Sequence, residues 1–207
     1  MIFAFIAARL THVIDVYKVS SAANEPTLLP GAIIMASSLK TTDRSTLVCF
    51  KKHGEKSVHI YRCIGKEGDV VEIKNAAVYL NGHSLNESYT WNEYYISRQQ
   101  LIAIQGYVDR YKYPLNPIND SLSAITFSTA DLLRYNLNLR LCTANKNTAD
   151  SAIFSDFIRL NYNIDNFGPL KVPKDCYFLL GDNRHNALDS RYIGFIKKDE
   201  IVSTVIE

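Results

Sequence analysis

The chain has 207 residues, 47% of them hydrophobic and 21% charged, which is enough for one domain with a real core, or for one domain that carries a large insertion. Its 13 Tyr and 9 Phe, against only 9 Gly, exclude a disordered chain. The formal net charge of +2, from 23 basic and 21 acidic residues, gives no electrostatic reason to expect a nucleic-acid partner.

The N-terminus begins with eight apolar residues, after which Arg9, Asp15 and Lys18 interrupt the run. A helix over residues 1–17 would span about 25 Å, less than the roughly 30 Å hydrocarbon core of a bilayer. The segment also lacks the charged start of a secretory signal. Three interpretations of residues 1–18 stay open: the remnant of a membrane anchor, an interfacial helix whose basic side chains reach the headgroups, or a core helix of a soluble protein.

A polar stretch over residues 20–31 follows. Pro26 removes a backbone donor and disfavours a helix through Glu25, so the stretch is predicted as an extended arm that then turns at Pro30-Gly31. Strand-like runs come next at short intervals, separated by turn sequences such as His53-Gly54. These runs cover residues 32–36, 46–50, 57–64, 69–74 and 76–80.

The third run shows the alternation of a strand. Its two faces carry Val58, Ile60, Arg62 and Ile64 on one side, and His59, Tyr61 and Cys63 on the other. Together the runs predict antiparallel hairpins and a mainly β fold.

Residues 83–165 differ from the rest, because they hold eight of the 13 Tyr and one Gly, Gly106. Ser128 begins a capping pattern ahead of Leu132, which predicts a short helix, and residues 92–105 are predicted as another. From residue 166 the β pattern returns, with strands at 176–180 and about 200–205. We therefore expect an antiparallel β core, formed by residues 19–82 and 166–207, with an inserted α+β subdomain at 83–165 and a membrane-associated helix at 1–18.

The four cysteines, at 49, 63, 142 and 176, have neither a CxxC spacing nor histidines placed to complete a zinc site. No metal and no other cofactor is expected. Because Cys49, Cys63 and Cys176 fall in strand-like runs, buried free thiols are favoured. One disulfide is the alternative if the domain lies outside the cytosol.

Three stretches carry a more specific signal. They are Pro26-Thr27-Leu28 with Ala23 three residues before the proline, the run Arg62-Cys63-Ile64-Gly65-x-x-Gly68-Asp69, and the run from Gly181-Asp182-Asn183-Arg184 through Asp189-Ser190-Arg191 to Gly194-Phe195. In this order they resemble the signatures of the type I signal peptidases, and residues 83–165 lie where that family carries its variable second domain. The resemblance implies a membrane-bound serine endopeptidase that faces the outside of the cytoplasmic membrane and removes signal peptides after small residues, with a serine nucleophile and a lysine base.

The resemblance also assigns positions in this chain. The nucleophile position is Ala23, the lysine position is Tyr61, and the serine that orients the lysine is replaced by Ala187. Ser21 matches the serine that helps to form the oxyanion hole. The charged residues that buttress the site match Arg62, Asp182, Asp189 and Arg191. The favoured interpretation of these four is structural: Asp182 with Arg62 and Asp189 with Arg191 are expected as ion pairs that hold the terminal loop against the strand. The substrate contacts match Val19, Asn24, Leu28, His59 and Ile60.

These substitutions predict a loss of the peptidase chemistry. The methyl group of Ala23 has no nucleophilic electrons, and the phenol of Tyr61 ordinarily titrates near 10, so it stays neutral at neutral pH. Asn24 stands where a methionine is usual and Ser20 where a proline is usual, which makes the predicted pocket more polar. We expect a catalytically inactive member that binds signal peptides at the cytoplasmic membrane, or that partners an active paralogue.

Two alternatives stay open. In the first, Ser20 or Ser21 acts as the nucleophile with His59 as the base, because serine and histidine are an effective pair. Against it, a shift of two residues along a strand is about 6.5 Å, which near-attack geometry does not tolerate. The alternative to a catalytic role for His59 is a structural one, as a partly buried histidine of a surface strand. The second alternative is a structural module at the membrane surface that binds no peptide.

Overall fold

The computed structural model of the protein describes residues 13–158 and 161–206. Antiparallel β-strands are the predominant regular secondary structure in this part of the chain. The first seven are β1 (Ile14–Lys18), β2 (Ile33–Ser37), β3 (Leu47–Phe50), β4 (His59–Lys66), β5 (Val70–Lys74), β6 (Ala77–Leu80) and β7 (His83–Ser84).

The next segment alternates strands with the α-helices. In chain order its elements are β8 (Asn92–Ser97), α1 (Arg98–Tyr111), β9 (Leu115–Asn119), β10 (Leu122–Phe127), α2 (Thr129–Arg134), β11 (Arg140–Leu141) and α3 (Ser155–Ile158). The last segment contains β12 (Phe167–Lys171), β13 (Cys176–Leu180), α4 (Ser190–Ile193), β14 (Ile196–Lys197), a 3₁₀ turn (Lys198–Glu200) and β15 (Ile201–Val205).

The largest sheet has the strand order β1-β2-β15-β3-β4-β13-β14. Strand β4 lies inside it, because residues 59–62 pair with β3 while residues 62–66 pair with β13. One face of this sheet buries Val48, Phe50, Tyr61 and Cys63 in a single cluster with Leu179. The start of β4 has no β13 partner and is therefore open on that side.

Two smaller sheets complete the architecture. The sheet β12-β5-β6-β7 packs over a second cluster that includes Phe167 and Phe178. The sheet β11-β8-β10-β9 has a separate cluster around Ile96, Ile125 and Phe127 and lies within residues 92–141. The mainly β, antiparallel fold expected from the sequence is confirmed. The division into a core and an inserted subdomain at 83–165 stays a prediction.

Of the two helices predicted within residues 92–134, one is confirmed and the other is only partly correct. The helix expected after Ser128 is confirmed as α2, where the Ser128 side chain accepts from the Asp131 N–H in a capping box. The helix expected over residues 92–105 is wrong in its first half, which forms β8. Ser97 provides the physical reason, because it caps α1 by accepting from the Gln100 N–H, so the helix begins only at Arg98.

The N-terminal prediction is settled only in part. Residues 1–12 lie outside the described residues, but residues 14–18, predicted as the end of a helix, form strand β1. The reason is pairing with β2 along the whole strand, from Ile14 opposite Ser37 to Lys18 opposite Ile33. In the described part of the chain, no helix combines the length and the apolar character that crossing a membrane requires.

The four cysteines are free thiols, as favoured from the sequence, but Cys176, which was expected to be buried, is only partly buried. Cys49 and Cys63 are fully buried in β3 and β4, and this burial raises the pKa of each thiol to about 12. Both therefore behave as small apolar core residues.

Candidate functional site

A cleft of about 580 Å³ opens between the β1–β2 loop, residues 19–32, and the open start of β4. Most of the residues singled out from the sequence as catalytic or substrate-contacting positions line it. They are Val19, Ser21, Ala23, Asn24, His59, Ile60 and Tyr61. Leu28 does not line the cleft and packs instead with Val19 and Ile60 in an adjoining cluster.

The β1–β2 loop is closed at its base by two backbone bonds. The Val19 N–H donates to the Ala32 carbonyl and the Gly31 N–H to the Val19 carbonyl, both at 2.8 Å. Gly31 has φ +90°, which only glycine adopts without strain. The predicted extended arm is wrong beyond Ser21, because the chain turns there and the Leu28 N–H donates to the Asn24 carbonyl at 2.8 Å. Such local hydrogen bonds stabilise the turn, because in an extended arm the same backbone N–H and carbonyl groups would lack a partner within the chain.

The three substituted positions come together in one buried cluster, in which Ala23, Tyr61 and Ala187 all take part. Gly181 lies between the two alanines, since a β carbon added to it would collide with the Ala187 side chain and with the Ala23 carbonyl oxygen. The Asn183 N–H donates to that Ala23 carbonyl at 3.0 Å and fixes the loop against the 181–187 segment. The fold thus brings Ala23, Tyr61 and Ala187 together, as their assignment to one site requires, and the roles assigned to them stay a prediction.

Tyr61 is buried and held in place. Its hydroxyl donates to the Leu188 carbonyl at 3.0 Å, and its ring lies 5.7 Å from the Phe50 ring, centroid to centroid. Burial raises the pKa of the phenol well above its ordinary value, and the charge of Asp189 acts in the same direction. The phenol is therefore neutral at physiological pH and cannot act as a general base there.

His59 stands at the mouth of the cleft, with a side chain 39% exposed. Its Nε2 is paired with Glu55 Oε2 at 2.7 Å, and Glu55 also lines the cleft. In residues 13–158 and 161–206 neither Ser20 nor Ser21 makes a hydrogen bond to His59. The sequence reasoning missed Glu55, because nothing in the pattern of the 51–58 loop indicates that it folds back over β4.

Two buried ion pairs stand beside the cleft; we call Arg62, Asp182, Asp189 and Arg191 the charged framework. Arg62 donates to both carboxylate oxygens of Asp182, Nε at 2.7 Å and Nη2 at 2.5 Å. Arg191 does the same to Asp189, Nε at 2.8 Å and Nη2 at 2.7 Å. All four side chains are buried, and Asp189 also accepts from the Gly181 N–H at 3.1 Å. Both ion pairs predicted from the sequence are present.

The segment at residues 87–91 packs against this framework. This contact was not predicted from the sequence. Arg184 Nη2 donates to Glu87 Oε1 at 2.5 Å, and the Tyr89 ring lies 4.7 Å below the Arg62 guanidinium. The Trp91 N–H donates to the Asp182 carbonyl at 2.9 Å. No sequence signal links residues 87–91 to residues about 100 positions away.

No cluster of three or more His, Cys, Asp or Glu suited to a metal ion occurs in residues 13–158 and 161–206. What the cleft offers chemically is an open strand edge, apolar walls, two serine hydroxyls and an exposed His–Glu pair.

Comparison with known proteins gives a consistent result. A sequence profile of the family described as "Signal peptidase, peptidase S26" matches residues 1–206. The chain is 25% identical over 219 residues to a signal peptidase I of Buchnera aphidicola, covering 95% of this chain and 69% of that protein. It is 29% identical over 211 residues to a signal peptidase I of Aquifex aeolicus, covering 92% and 73% respectively.

Among solved structures, a signal peptidase I from Enterococcus faecalis shares 22% identity with a TM-score of 0.43, covering 82% of this chain and 100% of that one. The profile match, which extends over nearly the whole chain, shows the family. The chain belongs to the signal peptidase family, peptidase S26.

Proposed function

We propose that this chain is a catalytically inactive member of its family that holds an extended signal peptide in the cleft without cutting it. The observation that carries the proposal is that Ala23 and Tyr61, which the resemblance assigns to the nucleophile and the base, line one cleft and share one buried cluster. Peptide cleavage by this route needs a hydroxyl and a base that takes its proton. Ala23 supplies no hydroxyl, and the buried Tyr61 supplies no base at neutral pH.

The open edge of β4 supports peptide binding. Residues 59–62 of β4 pair with β3, whereas β13 pairs only with residues 62–66, so residues 59–61 have no strand partner on the side that faces the cleft. On that side the Ile60 carbonyl already accepts from Asn24 Nδ2 at 2.5 Å, so the Asn24 side chain occupies one acceptor of this edge. An extended peptide could add to this edge by backbone hydrogen bonds, with its alternate side chains in the pockets near Val19 and Ile60. This mode of binding needs no catalytic group.

The proposed location is the outer face of the cytoplasmic membrane, where the family resemblance puts the cleft and where exported chains emerge. The apolar residues at the N-terminus are consistent with membrane association. In this setting the protein would bind signal peptides, alone or together with an active signal peptidase.

The second candidate is an active peptidase that uses Ser20 or Ser21 as the nucleophile and His59 as the base, which we call the relocated enzyme. The Glu55–His59 pair is the observation that favours it. A carboxylate beside a histidine can orient the ring for proton transfer from a serine, and Ser20 and Ser21 line the same cleft. The exposed His59 and the missing serine–histidine contact weigh against this candidate. A module that binds no peptide is the remaining alternative.

The test combines turnover and binding on one purified protein, with a fluorogenic peptide that contains Ala-x-Ala. The proposal predicts saturable binding without turnover. Turnover that disappears in Ser21→Ala would establish the relocated enzyme instead. If the protein neither cleaves nor binds the peptide, the structural module that binds no peptide is the remaining candidate.

A further inference from the structure

The cleft carries positive charge that no neighbouring group compensates. Lys18, at the end of β1, and Lys52, in the loop before β4, both line it. Lys18 is exposed and Lys52 only partly buried, so a molecule in the cleft can reach both residues. Within residues 13–158 and 161–206, neither ammonium group makes an ion pair or a hydrogen bond. Because lysine side chains are cationic at neutral pH, two positive charges stand at the cleft without a counter-charge.

The negative charge at the cleft is already engaged. Glu55 is the one carboxylate among the described residues that line the cleft, and its Oε2 is paired with His59 Nε2 at 2.7 Å. The carboxylates of the charged framework are held by their arginines. The Tyr61 hydroxyl is neutral and donates to the Leu188 carbonyl. The charge that remains for a bound molecule to compensate is therefore positive.

Ser20 and Ser21 add two hydroxyl groups to the same cleft. Both residues are exposed, and in the part of the chain that the structure describes neither hydroxyl has a hydrogen-bond partner. A hydroxyl can donate or accept, so by itself it selects no particular group. Beside two cations, however, it favours a negatively charged acceptor, because hydrogen bonds to ionised groups are roughly twice as strong as neutral ones. A carboxylate is the peptide group that meets this requirement.

We infer that Lys18 and Lys52 are specificity-determining residues, which select a peptide that brings a carboxylate into the cleft. The inference rests on the proposed function and names the class of peptide that is bound. The carboxylate can come from two sources: the side chain of an aspartate or glutamate, or the free C-terminus of a peptide that has already been cut. Electrostatic attraction extends over about 10 Å at about 0.1 M salt, so the carboxylate need not touch either ammonium group.

The experiment measures binding of peptides with one Ala-x-Ala frame to the full chain by fluorescence anisotropy at neutral pH. The first arm compares aspartate with asparagine at each position that flanks the frame. The second arm uses a peptide that ends at the last alanine and compares its free acid with its amide. In at least one arm the carboxylate peptide should bind about 3- to 10-fold more tightly, as expected for partly exposed charges. The arm that shows the preference identifies the source of the carboxylate.

The double variant Lys18→Met, Lys52→Met keeps the length of both side chains and removes their charge. It should lose the preference and bind the neutral peptide as the natural chain does. The matched control is Lys56→Met, an exposed lysine of the same loop that does not line the cleft, and it should keep the preference. If the double variant fails to fold, salt decides in the natural chain. An increase from about 0.02 M to about 0.5 M should remove the preference and leave the neutral peptide bound.

The outcomes separate this inference from the proposed function. Equal binding of both members in both arms, or a preference that persists in the double variant or at high salt, overturns the inference and leaves the proposed function intact. An equal loss of preference in Lys56→Met also overturns it, because the charge of the whole loop would then be responsible. Absence of binding by every peptide overturns the proposed function and this inference with it.

Discussion

The charged framework lies beside the floor of the cleft, by which we mean Ala23 and Tyr61. The framework has the residue types that the family resemblance implies, whereas the floor has substitutions at the assigned positions. Arg62, Asp182, Asp189 and Arg191 are all present and form two bidentate, fully buried pairs. At and below the floor, Ala23, Tyr61 and Ala187 form one buried cluster, and they are the residues that the resemblance assigns to the nucleophile, the base and the orienting serine.

The physical difference is what each region contributes to folding. A buried charge that loses its partner destabilises the fold strongly, so the framework cannot be removed one residue at a time. A serine or lysine on the floor contributes mainly chemistry, and a methyl or a phenol fills the same space. The framework is therefore expected to persist after activity is lost.

The largest effect should come from restoring the floor. The triple variant Ala23→Ser, Tyr61→Lys, Ala187→Ser should gain cleavage of an Ala-x-Ala peptide by roughly 10²–10⁴-fold over the natural chain, because it regains a hydroxyl and a base whose pKa burial lowers. Ala23→Ser alone is the control and should stay inactive. A triple variant that folds and binds the peptide but does not cut would show that the site has been placed wrongly.

Breaking the framework should have the next largest effect. Asp189→Ala leaves Arg191 buried without its carboxylate and the Gly181 N–H without its acceptor, so we expect a loss of about 3–5 kcal/mol in the free energy of unfolding. Denaturant unfolding measures it, with Asp199→Ala on the exposed surface as the control. A loss equal to the control's would remove the structural explanation for the framework.

Asp69 tests whether the second signature also holds the fold. Burial alone would raise the pKa of its carboxyl, but bonds from Arg44, the Lys66 N–H and Asn81 outweigh burial and lower the pKa to about 2. The folded state therefore binds fewer protons than the unfolded state between about pH 4 and pH 2.

The resulting stability is present above pH 4 and is lost as the pH falls through 2. We expect Asp69→Asn to cost about 1–2 kcal/mol at neutral pH, a figure reduced for the half-exposed Arg44, and to flatten the acid decline of the unfolding free energy. Chemical denaturation at a series of pH values measures both effects, and an unaltered acid decline in the variant would contradict this account.

The smallest effect is expected at Tyr61. Tyr61→Phe removes only the bond to the Leu188 carbonyl, so the unfolding free energy should fall by about 1 kcal/mol. Peptide binding should be unchanged, because the hydroxyl is already occupied. Loss of binding at unaltered stability would mean that the phenol contacts the peptide, and the cleft floor would then have a role beyond filling space.

Much of this contrast was predictable from the sequence. Strand alternation over residues 57–64 and the order of the three signatures were sufficient to predict the β core and to bring Ala23, Tyr61 and Ala187 to one place. Capping chemistry was sufficient for α2 as well.

What could not be predicted depends on contacts between distant parts of the chain. The pairing of residues 14–18 with β2 overrode the helical pattern of the N-terminus. The Glu87–Arg184 pair and the Asn24–Ile60 bond each join segments far apart in the sequence, whose approach only the folded chain determines. The turn in the β1–β2 loop was missed because its stabilising bonds are backbone bonds with no side-chain signature.

The most direct test of the central claim is acylation of the natural chain by a serine-directed reagent, read by intact mass and peptide mapping. The triple variant is the positive control and should be labelled at position 23. We predict that the natural chain carries no adduct in the cleft. A stoichiometric adduct on Ser20 or Ser21 would contradict the account, because a reactive serine would then be present where we propose binding without catalysis.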